Sequence, residues 1–489
     1  MKTASLLLSR PSLTVHLILV CTLVLAVAFT TGCGSASTTS ALKGNTSVTL
    51  LPSSTANDQL SQFTVTFSSI TLTSQSGKTV SLLAAGQNAE FIHLNGTAEP
   101  LVTVSVPQDI YTSAAATIAY STFTCISLLP SSGGLQTSEF GPNGALSATL
   151  TLPSPITITG TAMGLSLDLQ VSQSATFSNC YEPGAASTLT PTFNLSPVVL
   201  ASQPTNVGNG KVNGIDGLIS SVSTGDNGFS LVTADGITLS VNASGSTVYQ
   251  VIPGFSSLVV GMPVDMDAAI QPDGSLLATR VAVEDADITN LSILDGPLLA
   301  VFSYDPVLFM FGREEQGYLF PGVIYGGTNI SFGNATFQTS GQFSNTQIQS
   351  LPFTASFDAA NMFAGQNAYI TTHATTLSPD PTYYAATTVT LMPQTINGTV
   401  SAVSTSGNFT TYTVTLAAYD LIPSLAAQSG QTTVLTNPSS VVVYVDSNTQ
   451  LLNSPALSVG SVLRFNGLLF NDAGTLRMDC GQLNDGVAE

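Results

Sequence analysis

The feature that most restricts how this chain can fold is an apolar/polar alternation of period two, broken at short intervals by glycine. Phe63-Thr-Val65-Thr-Phe67 puts every second side chain on one face, and Ile70 and Leu72 follow. Successive side chains on opposite faces are the mark of a half-buried strand. The turn Ser76-Gly77-Lys78 then leads into Val80–Leu83, a hairpin signature. Further strands are expected at 90–94, 101–106, 114–123, 146–152, 156–160 and 165–171. Gly, Pro, Ser and Thr are plentiful, which favours short strands and turns over helices.

The same grammar recurs as an internal repeat. Asn213-Gly-Ile-Asp-Gly-Leu-Ile-Ser-Ser-Val-Ser-Thr-Gly225 returns as Ile396-Asn-Gly-Thr-Val-Ser-Ala-Val-Ser-Thr-Ser-Gly407. Downstream, Leu258-Val-Val-Gly-Met-Pro-Val264 returns as Leu457-Ser-Val-Gly-Ser-Val-Leu463. Asp273-Gly-Ser-Leu-Leu-Ala-Thr-Arg-Val281 returns as Asp472-Ala-Gly-Thr-Leu-Arg-Met478. A more divergent copy is marked by Leu294-Asp-Gly-Pro297 and Phe363-Ala-Gly-Gln-Asn-Ala-Tyr-Ile370. In the first copy Phe229 and Leu231 alternate. The turn Asp235-Gly236 then precedes strand 237–241, and a Leu-x-x-Gly corner at 258–261 precedes strand 262–268. The turn Asp273-Gly274 feeds a closing strand at 276–283. Five or so short strands with glycine corners suit a small closed barrel. The fold class expected is all-β: an N-terminal β-sandwich-like domain, then two or three small repeated β-barrel domains. Residues 47–202 form the sandwich; 208–288, 291–393 and 394–486 form the barrels, with a linker near 202–210.

Composition excludes several classes of partner. Only 8% of residues are charged, Lys and Arg total 9, and the formal net charge is −19. A phosphate backbone needs cations to neutralise it, so nucleic-acid binding is not expected. Attraction to an anionic membrane through a basic patch is excluded on the same ground. The hydrophobic fraction, 43%, leaves ample material for several cores.

Residues 1–32 have the parts of an export signal: Lys2 and Arg10, an apolar run from Leu13 to Phe29, then small residues. Cys33 follows Gly32, and a Ser/Thr-rich tether spans 33–46. The run is about 17 residues, the lower limit for a bilayer span, so an uncleaved anchor is the competing reading. A Cys placed directly after Gly resembles the lipobox of bacterial lipoproteins, although Thr30 stands where that family usually has Leu. The resemblance implies lipidation of Cys33, with membrane attachment through the N-terminal lipid anchor. It also implies a place in the cell envelope, facing either the periplasm or the outside.

A second resemblance covers roughly a hundred residues. Phe63-Thr-Val-Thr-Phe-Ser-Ser-Ile-Thr-Leu72, Gly77-Lys-Thr-Val-Ser-Leu-Leu83, Phe91-Ile-His-Leu-Asn-Gly96 and Val106-Pro-Gln-Asp-Ile-Tyr111 resemble a bacterial envelope-lipoprotein module, the domain of unknown function 4382. That family tends to have Gly shortly before the Tyr, where this chain has Asp109 and Ile110. The resemblance implies a β-sandwich-like module and supplies no catalytic residue. The repeats resemble small barrel modules, also of unknown function, that recur in bacterial secreted proteins.

An exported protein can keep disulfides. Of the five cysteines, Cys21 lies in the signal and Cys33 at the lipidation position. Cys125 and Cys180 share a domain and are the expected bridge, while Cys480 is expected to be a buried thiol. No zinc spacing occurs among them.

Reactive constellations are missing from the sequence. His93 and His373 are the histidines outside the signal; both sit in strand-like runs, and neither has a nucleophile motif nearby. Glu314 and Glu315 are adjacent, so on a strand they would point to opposite faces, which argues against a paired-carboxylate site. Glu284, Asp285 and Asp287 are Ca²⁺ candidates, with Asp265 and Asp267 nearby and Gly225-Asp226-Asn227-Gly228 as a further acidic turn. None matches an EF-hand pattern, and a solvated acidic loop is the plainer reading. Tyr304, Phe309, Phe311, Tyr318, Phe320 and Tyr325 would line a sugar groove or fill a barrel core. The expectation is a protein without enzymatic activity or cofactor. It would present β-domains for adhesion, scaffolding or interaction with an unknown envelope protein or glycan. The alternative is a surface lipoprotein that binds carbohydrate, peptide or Ca²⁺.

Overall fold

The alternating residues do form strands. The computed structural model describes residues 42–54, 60–91, 100–128, 135–140, 146–150, 152, 155–169, 195–200, 211–233, 237–271, 275–284, 293–302, 307–311, 327–341, 343, 345–375, 383–418, 420–427, 431, 433–451 and 457–485. Every strand lies in the unit Asn45–Glu489, which is separate from Met1–Gly44.

The first two sheets form a sandwich. One contains β1 (Asn45–Ser54), β5 (Val102–Pro107), β10 (Ala162–Leu169) and β11 (Leu195–Leu200) in the order β11-β10-β1-β5. The other is built on a long pair, β2 (Leu60–Ser74) and β6 (Asp109–Leu128). Five shorter strands flank that pair: β3 (Thr79–Ser81), β4 (Gln87–Glu90), β7 (Leu135–Phe140), β8 (Leu146–Leu150) and β9 (Ile156–Ile158). The turn expected at Ser76–Lys78 is the β2–β3 connection. Of the strand expected at 90–94, residues 92–94 lie outside the described residues; a strand over Gln87–Glu90 pairs with Thr64–Phe67. Val48, Leu50, Leu165 and Leu167 from one sheet share a core with Phe63, Val65, Phe67 and Ile118 from the other. Strands β1 and β10 run parallel and are buried on both faces over Val48–Ser54 and Met163–Leu169, as parallel pairs usually are. The outer face of this sheet is therefore covered by other parts of the chain.

Three barrels follow. The first has β12 (Lys211–Ser223), β13 (Gly228–Thr233), β14 (Thr238–Asn242), β15 (Val248–Gln250), β16 (Pro263–Ile270) and β17 (Leu276–Val283). The second has β18 (Ile293–Phe302), β19 (Val307–Phe311), β20 (Gly327–Ser331), β21 (Thr336–Thr339), β22 (Asn367–Thr375) and β23 (Tyr383–Leu391). The third has β24 (Gln394–Ser406), β25 (Phe409–Leu416), β26 (Ser440–Val445), β27 (Gln450–Leu451), β28 (Val462–Asp472) and β29 (Thr475–Asp485). Setting aside the short strands β15, β21 and β27, each barrel has five strands in the order 3-2-1-4-5. A parallel pairing of strand 3 with strand 5 closes the ring. That is the five-stranded Greek-key barrel of the OB type.

The repeated glycines explain the closure. In each barrel the corner glycine adopts positive φ: Gly261 at 86°, Gly365 at 105° and Gly460 at 90°. Its N–H donates to a carbonyl of strand 1, that of Ile219, Leu298 or Val400. The same three residues donate back to the carbonyls of Met262, Gln366 and Ser461. The register of strand 1 shifts at that point in all three barrels, a bulge that bends the strand around the ring. Earlier on strand 1, Gly217 and Gly398 lie against the neighbouring strand. A Cβ added at Gly398 would stand 2.2 Å from the Thr415 carbonyl oxygen, and one at Gly217 would stand 2.7 Å from that of Val232.

Gly398→Ala should therefore force strands 1 and 2 of the third barrel apart. A loss of about 1–3 kcal/mol is expected by urea denaturation, the usual cost of overpacking. Gly225→Ala, where an added Cβ meets nothing within 4 Å, should cost far less in the same assay.

Candidate functional site at the module junctions

The fourth residue after each corner glycine points out of its barrel: Asp265, Tyr369 and Arg464. All three are buried; Tyr369 and Arg464 meet a neighbouring module, and Asp265 meets Arg280 of its own barrel. The junctions are the places where this charge-poor chain concentrates its polar chemistry.

Between the first and second barrels, Arg280 on β17 is wholly buried. It binds Asp265, binds Asp267 at 2.6 Å through Nε, and donates through Nη1 to Gln250 at 3.0 Å. Burial by itself would lower the guanidinium pKa. The charges and hydrogen bonds of Asp265 and Asp267 outweigh burial and hold the group well above its ordinary value. Asp267 also accepts the Gly214 N–H at 2.9 Å. Gln250 carries the network across the seam by donating to Thr390 at 3.1 Å, and Gln338 reaches the same hydroxyl at 3.0 Å. Tyr369 lies 5.8 Å from the Arg280 carbon and donates to the Val283 carbonyl at 2.6 Å. Ala282, Ile293, Tyr369 and Met392 complete an apolar cluster around it.

The second and third barrels meet through aromatics. The segment between β21 and β22, which includes the helix α1 (Asn345–Gln349), packs against the outside of the third barrel. Phe353 lies 4.9 Å from the Tyr444 ring and 6.0 Å from Phe470, and Arg477 sits 5.5 Å over Phe353. Arg477 is held by Asp472 at 2.6 Å and by the Tyr444 hydroxyl. In the opposite direction, the segment between β25 and β26, with its helix α2 (Leu421–Ala426), returns to the second barrel. There Thr433 donates to the Met362 carbonyl at 2.6 Å, and Gln431 accepts the Val301 N–H at 2.8 Å.

The sandwich meets two barrels. Leu51 of β1 joins the core of the first. Asp168 of β10 pairs at 2.9 Å with Arg464 of the third, 296 residues away. Ser53 donates to the same carboxylate at 3.0 Å.

The residues singled out from the sequence fall differently. Asp265 and Asp267, weighed as cation ligands, are the counter-ions of Arg280. Glu284 is buried after β17, while Asp285 and Asp287 lie outside the described residues. Asp226 and Asn227 sit in the exposed turn joining β12 to β13, where Ser223 donates to Asp226 at 3.5 Å. Among the described residues, no group of three or more His, Cys, Asp or Glu is placed to hold a metal ion. His373 lies on β22 opposite Ala385; His93, Glu314 and Glu315 lie outside the described residues. Phe309 and Phe311 belong to β19, and the other four clustered aromatics also fall outside. Cys33 and Cys180 are likewise outside, and Cys125 is described only as part of β6. Cys480 is a buried thiol, its sulfur 3.2 Å from the Gln482 carbonyl. Sequence reasoning passed over Arg280, Arg464 and Asp168. The available signal was an arginine inside an apolar strand, Thr279-Arg280-Val281 and Leu463-Arg464-Phe465, in a chain with so few cations. A buried charge at such a position needs a partner.

No family model and no curated protein matches the chain. A solved structure titled "drosophila Unr CSD456" is similar at 11% identity, over 56% of this chain and 98% of that one, with a TM-score of 0.13. At that score the likeness adds nothing to the strand order itself.

Arg280→Met should leave Asp265 and Asp267 buried without a counter-charge and cost about 3–5 kcal/mol. The combined Asp265→Asn, Asp267→Asn, Arg280→Met variant should recover a large part of that loss in thermal unfolding.

Proposed function

We propose that this chain is a non-enzymatic envelope protein, anchored by lipid at Cys33, that uses a set of joined β-modules to hold one open sheet face toward a partner. The observation that carries this reading is how the polar groups are distributed. Among the described residues, the two fully buried arginines, Arg280 and Arg464, are committed to junctions between modules. Buried charge used this way joins one module to the next, which supports a scaffold. The export-like N-terminus, the lipobox-like Gly32-Cys33 and the resemblance of 47–202 to an envelope-lipoprotein module support the location. Among the described residues, no helix is long and apolar enough to cross a membrane.

The open face is the outer side of the β2–β6 sheet. Thr71, Thr73, Thr79, Ser81 and Ala115 are half-buried or exposed along it. Tyr120 stands among them, 41% exposed, directly across from Thr66, which in turn faces Asn88 and donates to it at 2.7 Å. A register shift beside Thr66 turns Tyr120 outward after Ile118 has faced the core. This row favours a second reading in which the partner is a neutral glycan. An exposed aromatic ring can stack on a sugar, and amide and hydroxyl neighbours can bond to it.

Two measurements test these readings separately. Cys33→Ser should abolish incorporation of labelled fatty acid and move the protein out of the membrane fraction; unchanged labelling would remove the anchor. Tyr120→Ala should weaken co-sedimentation with insoluble neutral polysaccharide roughly tenfold, about 1.4 kcal/mol. Equal binding by both proteins would remove the glycan reading and leave the scaffold one standing.

A further inference from the structure

The seams between modules are not equivalent. At the first, all three guanidinium nitrogens of Arg280 are engaged, by Asp267, Gln250 and Asp265. The second is sealed by aromatic packing around Phe353. The seam between the sandwich and the third barrel is different. Arg464 and Asp168, 2% and 0% exposed, share one hydrogen bond of 2.9 Å. Nε and Nη1 of Arg464 and Oδ2 of Asp168 are buried without a partner. The same holds for Oδ1 of Asn397, whose backbone pairs with Arg464. It holds also for Oε1 of Gln482, which faces Asn466 two residues along β28.

Buried polar atoms without partners carry a desolvation cost that water would remove. Parting this seam exposes Ser53, Ser166 and Asp168 on one side and Asn397, Arg464 and Gln482 on the other. All are hydrophilic, so parting the seam restores their hydration. The sandwich keeps its apolar hold on the first barrel through Leu51, which supplies a pivot.

We infer that the Arg464–Asp168 seam is a reversible polar clasp, at which the sandwich swings away from the third barrel while the other seams stay shut. Opening uncovers the polar residues around Asp168 on the outer face of the β1–β10 pair, beside Leu51, which stays on the first barrel, and it alternates with a closed state that hides them. This goes beyond the scaffold reading, because it gives the body two states.

Native-state thiol labelling of the full chain tests the clasp. Ser53→Cys and Ser166→Cys place thiols on the covered face, at positions 3% and 4% exposed. Cys480, 1% exposed inside the third barrel, is an internal reference reached only when that barrel unfolds. With maleimide and peptide-level mass spectrometry, residues 53 and 166 should react at least tenfold faster than Cys480. Adding Asp168→Leu with Arg464→Met, which makes the seam apolar, should slow them toward the Cys480 rate. Equal protection of residues 53, 166 and 480 in the chain without that pair would overturn the clasp. So would reaction at the rate of an unfolded thiol, since the seam then never closes. Both single-cysteine measurements stand whether or not the apolar pair folds.

Discussion

The pairing of strand 3 with strand 5 is the constraint on which each barrel depends. It is short: two residue pairs in the first and second barrels, four in the third. Without it each module would be an open sheet with a row of unpaired N–H and C=O groups at each edge. Closure places heavy demands on strand 1, which must pair with both strand 2 and strand 4 and still bend around the ring. The bulge at Ile219, Leu298 or Val400 provides the bend, and the corner glycine behind it makes the bend affordable. Once closed, a barrel has no free edge, and neighbours dock through outward side chains of its strands and through the segments that join them.

That requirement explains why equivalent positions carry such different residues. Asp265, Tyr369 and Arg464 occupy one geometric place in three barrels, and each is matched to a different neighbour. Asp265 meets an arginine of its own barrel at the edge of the next, Tyr369 reaches the carbonyl of Val283, and Arg464 reaches the sandwich. A repeated module with identical outer faces could dock in several orders. Different chemistry at the same place allows one order, because a mismatched pair would bury a charge or a hydroxyl with no partner.

How much of this could be read from residues alone follows the range of each interaction. The all-β class was legible because alternation acts between neighbours: Phe63, Val65 and Phe67 share a face whatever the rest of the chain does. The corners at Gly261 and Gly460 were legible because positive φ is a local demand that few side chains tolerate. The long strand β6, Asp109–Leu128, was seen only in its middle, 114–123. Strands β15, β21 and β27, of two to four residues, are too short to show a period. Asp265 and Asp267 looked like loose acids because their partner, Arg280, lies across a turn on the next strand. Asp168 and Arg464 could not be paired from sequence, since 296 residues separate them. Patterns that act within one strand were readable; contacts that join modules were not.

The choice of ions over hydrocarbon at two of the seams has a physical reason. Replacing a buried pair by well-packed apolar side chains commonly leaves stability unchanged or improves it, so stability alone does not account for Arg280 or Arg464. An apolar seam, however, would expose a greasy face in every partly folded intermediate of a long, charge-poor, strand-rich chain, and strand-rich chains of this kind aggregate through such faces. Arginine and aspartate keep the undocked faces wet until the correct neighbour arrives. The aromatic seam around Phe353 is the exception. There the apolar surface is carried on a segment of the second barrel that lies directly before the third in sequence, so it can be covered as soon as the third barrel forms.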